Sequence, residues 1–138
     1  MTQIYRRRDM LLGLVGGRCT ECGTPQFPRA RVCVNPACGS FAEQEAYPFA
    51  DRTAKVVSWS ADHLTYTPEP PARYGLIQFE GGGRMFANFT DVAGPEVDVG
   101  SDMRMVFRIK EFDRKRGFRR YFWKATPVAG RADDKGGA

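Results

Sequence analysis

Four cysteines in two close pairs constrain this chain more than anything else in it. Cys19-Thr20-Glu21-Cys22-Gly23 puts two residues between its thiols, Cys33-Val34-Asn35-Pro36-Ala37-Cys38-Gly39 puts four, and ten residues separate the pairs. Two short loops that each offer two sulfurs can close on one tetrahedral ion, with zinc–sulfur bonds of about 2.3 Å. The glycine after each pair allows the tight backbone turn. The spacing therefore predicts a zinc ribbon over residues 18–40, with Cys19, Cys22, Cys33 and Cys38 as ligands and a short hairpin from Thr24 to Val32 between the loops. Two disulfides, or buried free thiols, are the competing readings. A reducing compartment argues against disulfides, and free thiols have no reason to fall in glycine-followed pairs. Iron could use the same four ligands, although the longer second loop departs from a double C-x-x-C. Four thiolates leave no open coordination position, so the metal is expected to be structural. It would carry much of the module's folding energy, because about twenty residues cannot build a core alone.

The rest of the chain reads as strands. Five segments are expected: Thr53 to Ala61, Tyr74 to Glu80, Arg84 to Thr90, Met103 to Phe112 and Phe118 to Thr126. In the first, Lys55, Val57, Trp59 and Ala61 share one face. In the fourth, Met103, Met105, Phe107 and Ile109 alternate with Arg104, Val106, Arg108 and Lys110, the period-two pattern of a strand. Gly81-Gly82-Gly83 suits a hairpin turn, and Asp113 to Gly117 a polar one. Asp91 to Asp102, with Gly94-Pro95 and Gly100, reads as a long connection. Five antiparallel strands with that connection fit a Greek-key barrel of the OB type, an SH3-like barrel being the nearest competitor. The fold class is thus mainly β: an N-terminal helical arm (1–17), a zinc ribbon (18–40), an OB-fold barrel (41–128) and a disordered tail (129–138) without apolar content.

The 138 residues hold 42% hydrophobic and 27% charged side chains, an ordinary soluble composition. No apolar run is long enough to cross a membrane. Arg6-Arg7-Arg8 precedes a short apolar segment, but Asp9 interrupts it and no cleavage site follows, so a cytoplasmic protein is expected. The net charge of +5 is uneven: residues 104–124 hold nine Lys/Arg and two Asp/Glu, whereas residues 40–103 hold four and ten. The two regions therefore present surfaces of opposite sign.

Catalytic patterns are missing. The single histidine, His63, has no nucleophile tied to it, and there is no Gly-x-Ser-x-Gly elbow, phosphate-binding Walker loop or G-x-G-x-x-G unit. His63 reads better as a surface or interface residue than as a base, and an independent enzyme is not expected. The basic residues Arg114, Lys115, Arg116, Arg119 and Arg120 surround the last hairpin, followed by Tyr121, Phe122 and Trp123. Three readings fit them. In the first, the arginines simply solvate a hairpin whose Tyr121, Trp123 and Ala125 point into the core. They can contact a phosphate-bearing cofactor or an acidic partner. Basic residues interleaved with aromatics also serve single-stranded nucleic-acid binders. The proline-stiffened connection Leu64 to Ala72, with Tyr66, is either inert or a protruding contact.

The order of these parts resembles a known family. A helical arm, Gly17-Arg18-Cys19-x-x-Cys22-Gly23, then Phe27-Pro28-Arg29-x-Arg31-x-Cys33, then Cys38-Gly39-Ser40 and a five-strand barrel are similar to OB-fold proteins with a rubredoxin-like zinc ribbon that accompany thiolase-superfamily enzymes. The resemblance spans residues 5–128. It implies a non-catalytic accessory subunit of a thiolase or hydroxymethylglutaryl-CoA-synthase-like enzyme, bridging subunits and helping to hold CoA or an acyl-CoA. The partner supplies the catalytic cysteine, so no catalytic residue is assigned here. Arg114, Lys115, Arg116, Arg119, Arg120, His63 and Tyr66 are the candidate contacts to partner or CoA. A nucleic-acid-binding zinc-ribbon/OB-fold protein is the alternative, and a small iron-bearing electron carrier the third reading.

Overall fold

The structure, a computed structural model, describes residues 5–92 and 97–128. The tail expected at 129–138 and the Gly94-Pro95 part of the long connection lie outside the described residues. Helix α1 spans Arg8–Gly13. Strands follow at β1 Val15–Cys19, β2 Pro25–Gln26, β3 Gln44–Pro48, β4 Ala54–Asp62, β5 Ala72–Phe79, β6 Arg84–Asn88, β7 Asp102–Asp113 and β8 Phe118–Pro127. The five strands expected from alternation are β4 to β8.

Two sheets form. The small one has the order β2-β1-β3, and the large one β6-β5-β4-β7-β8. All the named pairs are antiparallel, and a parallel bridge from Phe89 to Ala125 joins the two ends of the large sheet. That closure makes the five-stranded barrel. Its interior is filled by Ala54, Val56, Ile77, Phe79, Met85, Ala87, Phe89, Met103, Met105 and Ala125, the inward positions of alternating strands.

The small sheet corrects two expectations. The arm is helical only to Gly13; Leu14 turns the chain with φ of 49°, and β1 starts at Val15. The segment Thr24 to Val32 is not a hairpin of its own. Pro25 and Gln26 pair instead with Arg18 and Gly17 of β1, whose other edge takes β3. Backbone donors of the ribbon are thus satisfied by a strand outside the cysteine loops.

Phe49 joins ribbon and barrel. Its ring is fully buried, with Phe27 at 5.9 Å, Tyr47 at 5.0 Å and Phe79 at 4.7 Å between centroids. Two glycines make room for it. A Cβ on Gly16 would lie 2.5 Å from the ring, and one on Gly83, where φ is +93°, would lie 2.6 Å from it. Close approach of the ring explains Gly16, and at Gly83 the ring and the positive φ both call for glycine.

One facing prediction fails in β4. The register slips between Val56 and Ser58, so Val57 is an extra residue. Such a bulge moves later side chains to the opposite face. Trp59 and Ala61 therefore do not share a face with Lys55; they follow Ala54 and Val56.

Candidate metal centre and the surfaces around it

The local sequence explains how the four thiols meet. Cys19 ends β1, and its carbonyl accepts from the Gly23 N–H at 3.0 Å, closing the first loop. In the second loop the Asn35 carbonyl accepts from the N–H groups of Cys38 and Gly39, both at 3.0 Å, while the Asn35 side chain accepts from the Ala37 N–H. Gly23 and Gly39 adopt φ of 73° and 55°. The buried Gln26 side chain ties the second loop to β2: its oxygen accepts from the Val34 N–H and its nitrogen donates to the Val32 carbonyl.

The sulfurs of Cys19, Cys22, Cys33 and Cys38 all lie within 4.8 Å of one another. Cys22 and Cys33 are 3.4 Å apart, and Cys19 and Cys38 are 3.9 Å apart. A tetrahedral zinc with bonds of about 2.3 Å requires sulfurs about 3.8 Å apart. The donor set therefore fits a four-thiolate cation. Disulfides are absent from this geometry, and all four cysteines are free.

The electrostatics favour a cation as well. The Thr24 hydroxyl and backbone N–H, beside the Cys22 sulfur, bring its pKa down to about 6. Cys33 moves the other way. The Asn35 N–H pulls its pKa down, but burial and the crowding sulfurs of Cys22, Cys19 and Cys38 win, pushing it up to about 12. Cys38 is likewise raised: burial and the Cys22 and Cys19 sulfurs outweigh the Ser40 N–H. One thiolate forms readily here, and its neighbours then resist ionising until a positive charge sits among them.

The remaining candidate residues do not form one site. β4 and β7 pair only at Ala54↔Met103 and Lys55↔Asp102 and, being antiparallel, run apart from there. The 62–72 connection and the 114–117 turn consequently lie at opposite ends of the barrel. His63, Leu64 and Tyr66 are exposed in the first, Leu64 at 97% and Tyr66 at 87%. Asp62 shapes that loop, accepting from the Thr65 hydroxyl and from the Leu64 N–H at 2.8 Å, and the same bonds hold its carboxyl below the usual range. Arg114, Lys115, Arg116, Arg119 and Arg120 are exposed together at the other end.

Sequence reasoning missed an apolar surface beside those arginines. Of Tyr121, Trp123 and Ala125, only Ala125 is buried; Trp123 is half-buried and Tyr121 is exposed. Phe107, Ile109 and Phe112 of β7 are exposed too. The alternating pattern of β7 was visible, but alternation cannot say where a strand leaves the barrel. Among the described residues no helix is long and apolar enough to cross a membrane.

Known proteins share this arrangement. Residues 12–43 match the family described as ChsH2, rubredoxin-like zinc ribbon domain, and residues 47–108 match ChsH2, C-terminal OB-fold domain. A DUF35 domain-containing scaffold protein of Pyrococcus furiosus is 35% identical over 122 residues, 83% of each chain. A protein of the same description from Methanocaldococcus jannaschii is 29% identical over 118 residues, 83% of this chain and 82% of that one. Among solved structures, the Ltp2-ChsH2(DUF35) aldolase superposes with a TM-score of 0.63 at 24% identity, over 91% of this chain and 89% of that one. A DUF35-family protein of unknown function from Sulfolobus solfataricus gives 0.54 at 18% identity, over 92% and 84%. At those identities the two structures speak for the fold alone.

Proposed function

The chain belongs to the DUF35 scaffold-protein family, with its zinc ribbon and OB-fold, and from that premise we propose that it is a non-catalytic accessory subunit of an acyl-CoA enzyme. The partner in this reading is a thiolase-superfamily enzyme, a thiolase or hydroxymethylglutaryl-CoA-synthase-like protein, in the cytoplasm. The chain stabilises the complex and helps to hold CoA. One observation carries the reading: β7, β8 and the turn between them expose arginines and aromatics together, while the thiols are turned in on each other. That is the chemistry of binding, not of bond making. Arginine matches phosphate bidentately and also stacks on rings, so it suits both a protein face and the phosphates of CoA. Relatives named as scaffold proteins support a role in assembly, and the Ltp2-ChsH2(DUF35) aldolase shares the fold.

The ion of the ribbon is zinc in this account, held by Cys19, Cys22, Cys33 and Cys38, and its contribution is structural: it cross-links two loops that have no core of their own. The N-terminal arm, the ribbon with its β2-β1-β3 sheet and the barrel of β4 to β8 are then the working parts of the subunit.

Affinity purification of the tagged chain from its native cell, with bound proteins identified by mass spectrometry, tests the reading. A stoichiometric thiolase or synthase homologue is the expected companion. Recovery of nucleic acid or ribosomal material without an acyl-CoA enzyme would overturn it in favour of an OB-fold nucleic-acid binder.

A further inference from the structure

The last two strands outrun the barrel. β7 meets β4 at only two positions and β8 meets Phe89 at one, yet β7 and β8 stay paired with each other from Met103↔Pro127 to Asp113↔Phe118. Among the described residues, no third strand pairs with this ribbon beyond about Val106 and Lys124. At about 3.3 Å per residue it projects roughly 20 Å. A two-stranded ribbon by itself is marginal in water.

Its side chains sort by face. Phe107 opposes Trp123, Ile109 opposes Tyr121 and, past the bulge after Ile109, Phe112 opposes Arg119. These residues share one face, with Phe107 37%, Ile109 42%, Phe112 45% and Tyr121 49% exposed. The tip and the other face are basic. Of the two acidic residues between 104 and 124, Glu111 already pairs with Arg120 at 3.5 Å and Asp113 with Arg116 at 3.8 Å, leaving a large excess of positive charge.

Resting on the accessory-subunit reading, we infer that this β7–β8 arm is the docking element, and that its aromatic face seats on an apolar strip of the partner enzyme bordered by acidic residues. Charge complementarity sets the acidic border. The partly occupied rings and the aliphatic Ile109 among them favour protein over nucleic acid. Bases need free ring faces to stack on, and here several rings already have one face against a neighbouring ring or cation. Phe107 stacks on Tyr121 at 5.8 Å and tilts against Trp123 at 5.4 Å, while Arg119 covers Phe112 at 4.9 Å and Lys110 covers Phe122 at 5.4 Å. Ile109, 42% exposed between those rings, offers no surface for a base to stack on and packs against protein side chains. Cations already resting on rings are preorganised, so docking orders fewer of them.

The test uses the enzyme that the wild-type chain recovers, purified, and measures its dissociation constant for variants with unchanged zinc content and thermal midpoint. Ile109→Ser with Tyr121→Ser is expected to weaken binding about tenfold or more. Arg114→Glu, Lys115→Glu and Arg116→Glu together should slow association about tenfold and flatten its salt dependence. Phe86→Ser, at an exposed outward position of β6, should change nothing. Should the serine pair misfold, a photo-crosslinking side chain at Ile109 gives the same answer through crosslinks to the enzyme. Unchanged affinity in both arm variants, with the wild type still holding its enzyme, overturns the docking assignment and leaves the accessory reading intact. Failure of the wild type to hold any acyl-CoA enzyme overturns both. Crosslinks from position 109 to a second copy of this chain, or salt-sensitive capture of a single-stranded oligonucleotide lost in the arm variants, overturn it as well.

Discussion

Replacing Phe49 by alanine should destabilise the ribbon and the barrel together. The ring is fully buried and touches both sheets: Phe27 and Gly16 on the ribbon side, Phe79 and Gly83 on the barrel side. A buried phenylalanine removes roughly 150–200 Å² from water, which at about 25 cal/mol per Å² is about 4–5 kcal/mol. Phe→Ala substitutions in cores cost about 3–5 kcal/mol, cavity included. The two estimates agree on about 4 kcal/mol, a large share of the total stability of a domain this size. At about 3 °C per kcal/mol the midpoint should fall by about 12 °C. The assay is guanidinium unfolding of the zinc-loaded protein, followed at once by tryptophan fluorescence for the barrel and by zinc release to a coloured chelator for the ribbon. Both probes should give one transition in the wild type and one, earlier, in the variant. If zinc release keeps its wild-type midpoint while the fluorescence transition moves, the two modules are independent, and the role given to Phe49 is wrong.

Other expectations follow from the same contacts. Cys19→Ser and Cys38→Ser should each abolish stoichiometric zinc and expose the ribbon to proteolysis; full zinc content in both would refute the ligand assignment. Zinc affinity should rise with pH. Cys33, pushed up to about 12, and Cys38, also raised, must both lose protons to bind, so log K should climb by at least about 2 per pH unit from pH 6.5 to 8. Below about pH 6 the Cys22 thiolate protonates too and the loss steepens; a chelator competition that is flat with pH contradicts thiolate ligation. Arg119→Glu with Arg120→Glu should weaken the complex or its acyl-CoA binding, because Arg119 holds the Phe112 ring and Arg120 the Glu111 carboxylate; unchanged binding of both kinds removes these residues from the contact.

Much of this molecule was legible in its sequence, for identifiable reasons. Paired thiols followed by glycines leave few foldings other than two metal-binding loops, and the structure brings all four sulfurs together. Strands β4 to β8 announce themselves by alternation, because one face of each is buried in the barrel. The strands that escaped notice are those whose pattern serves something else. β1 reads Val-Gly-Gly-Arg-Cys, poor strand material, because Gly16 must clear the Phe49 ring. β2 is only two residues long. The Val57 bulge leaves no mark in the sequence and reverses the facing of Trp59. His63 and Tyr66 could not be separated from the basic turn without knowing that β4 and β7 diverge from Lys55 and Asp102. The aromatic face of the arm was hidden for a related reason: Phe107 and Ile109 continue the period of Met103 and Met105, and only the length of the barrel decides which of them are covered.

The measurement closest to the central claim is turnover of the enzyme that copurifies with this chain, assayed on acyl-CoA with the chain present, removed and added back. The account predicts no turnover by the chain alone, a weakened or unstable enzyme without it, and recovery at equimolar addition. Acyl-CoA turnover by the chain alone, or an enzyme indifferent to its removal, would contradict it.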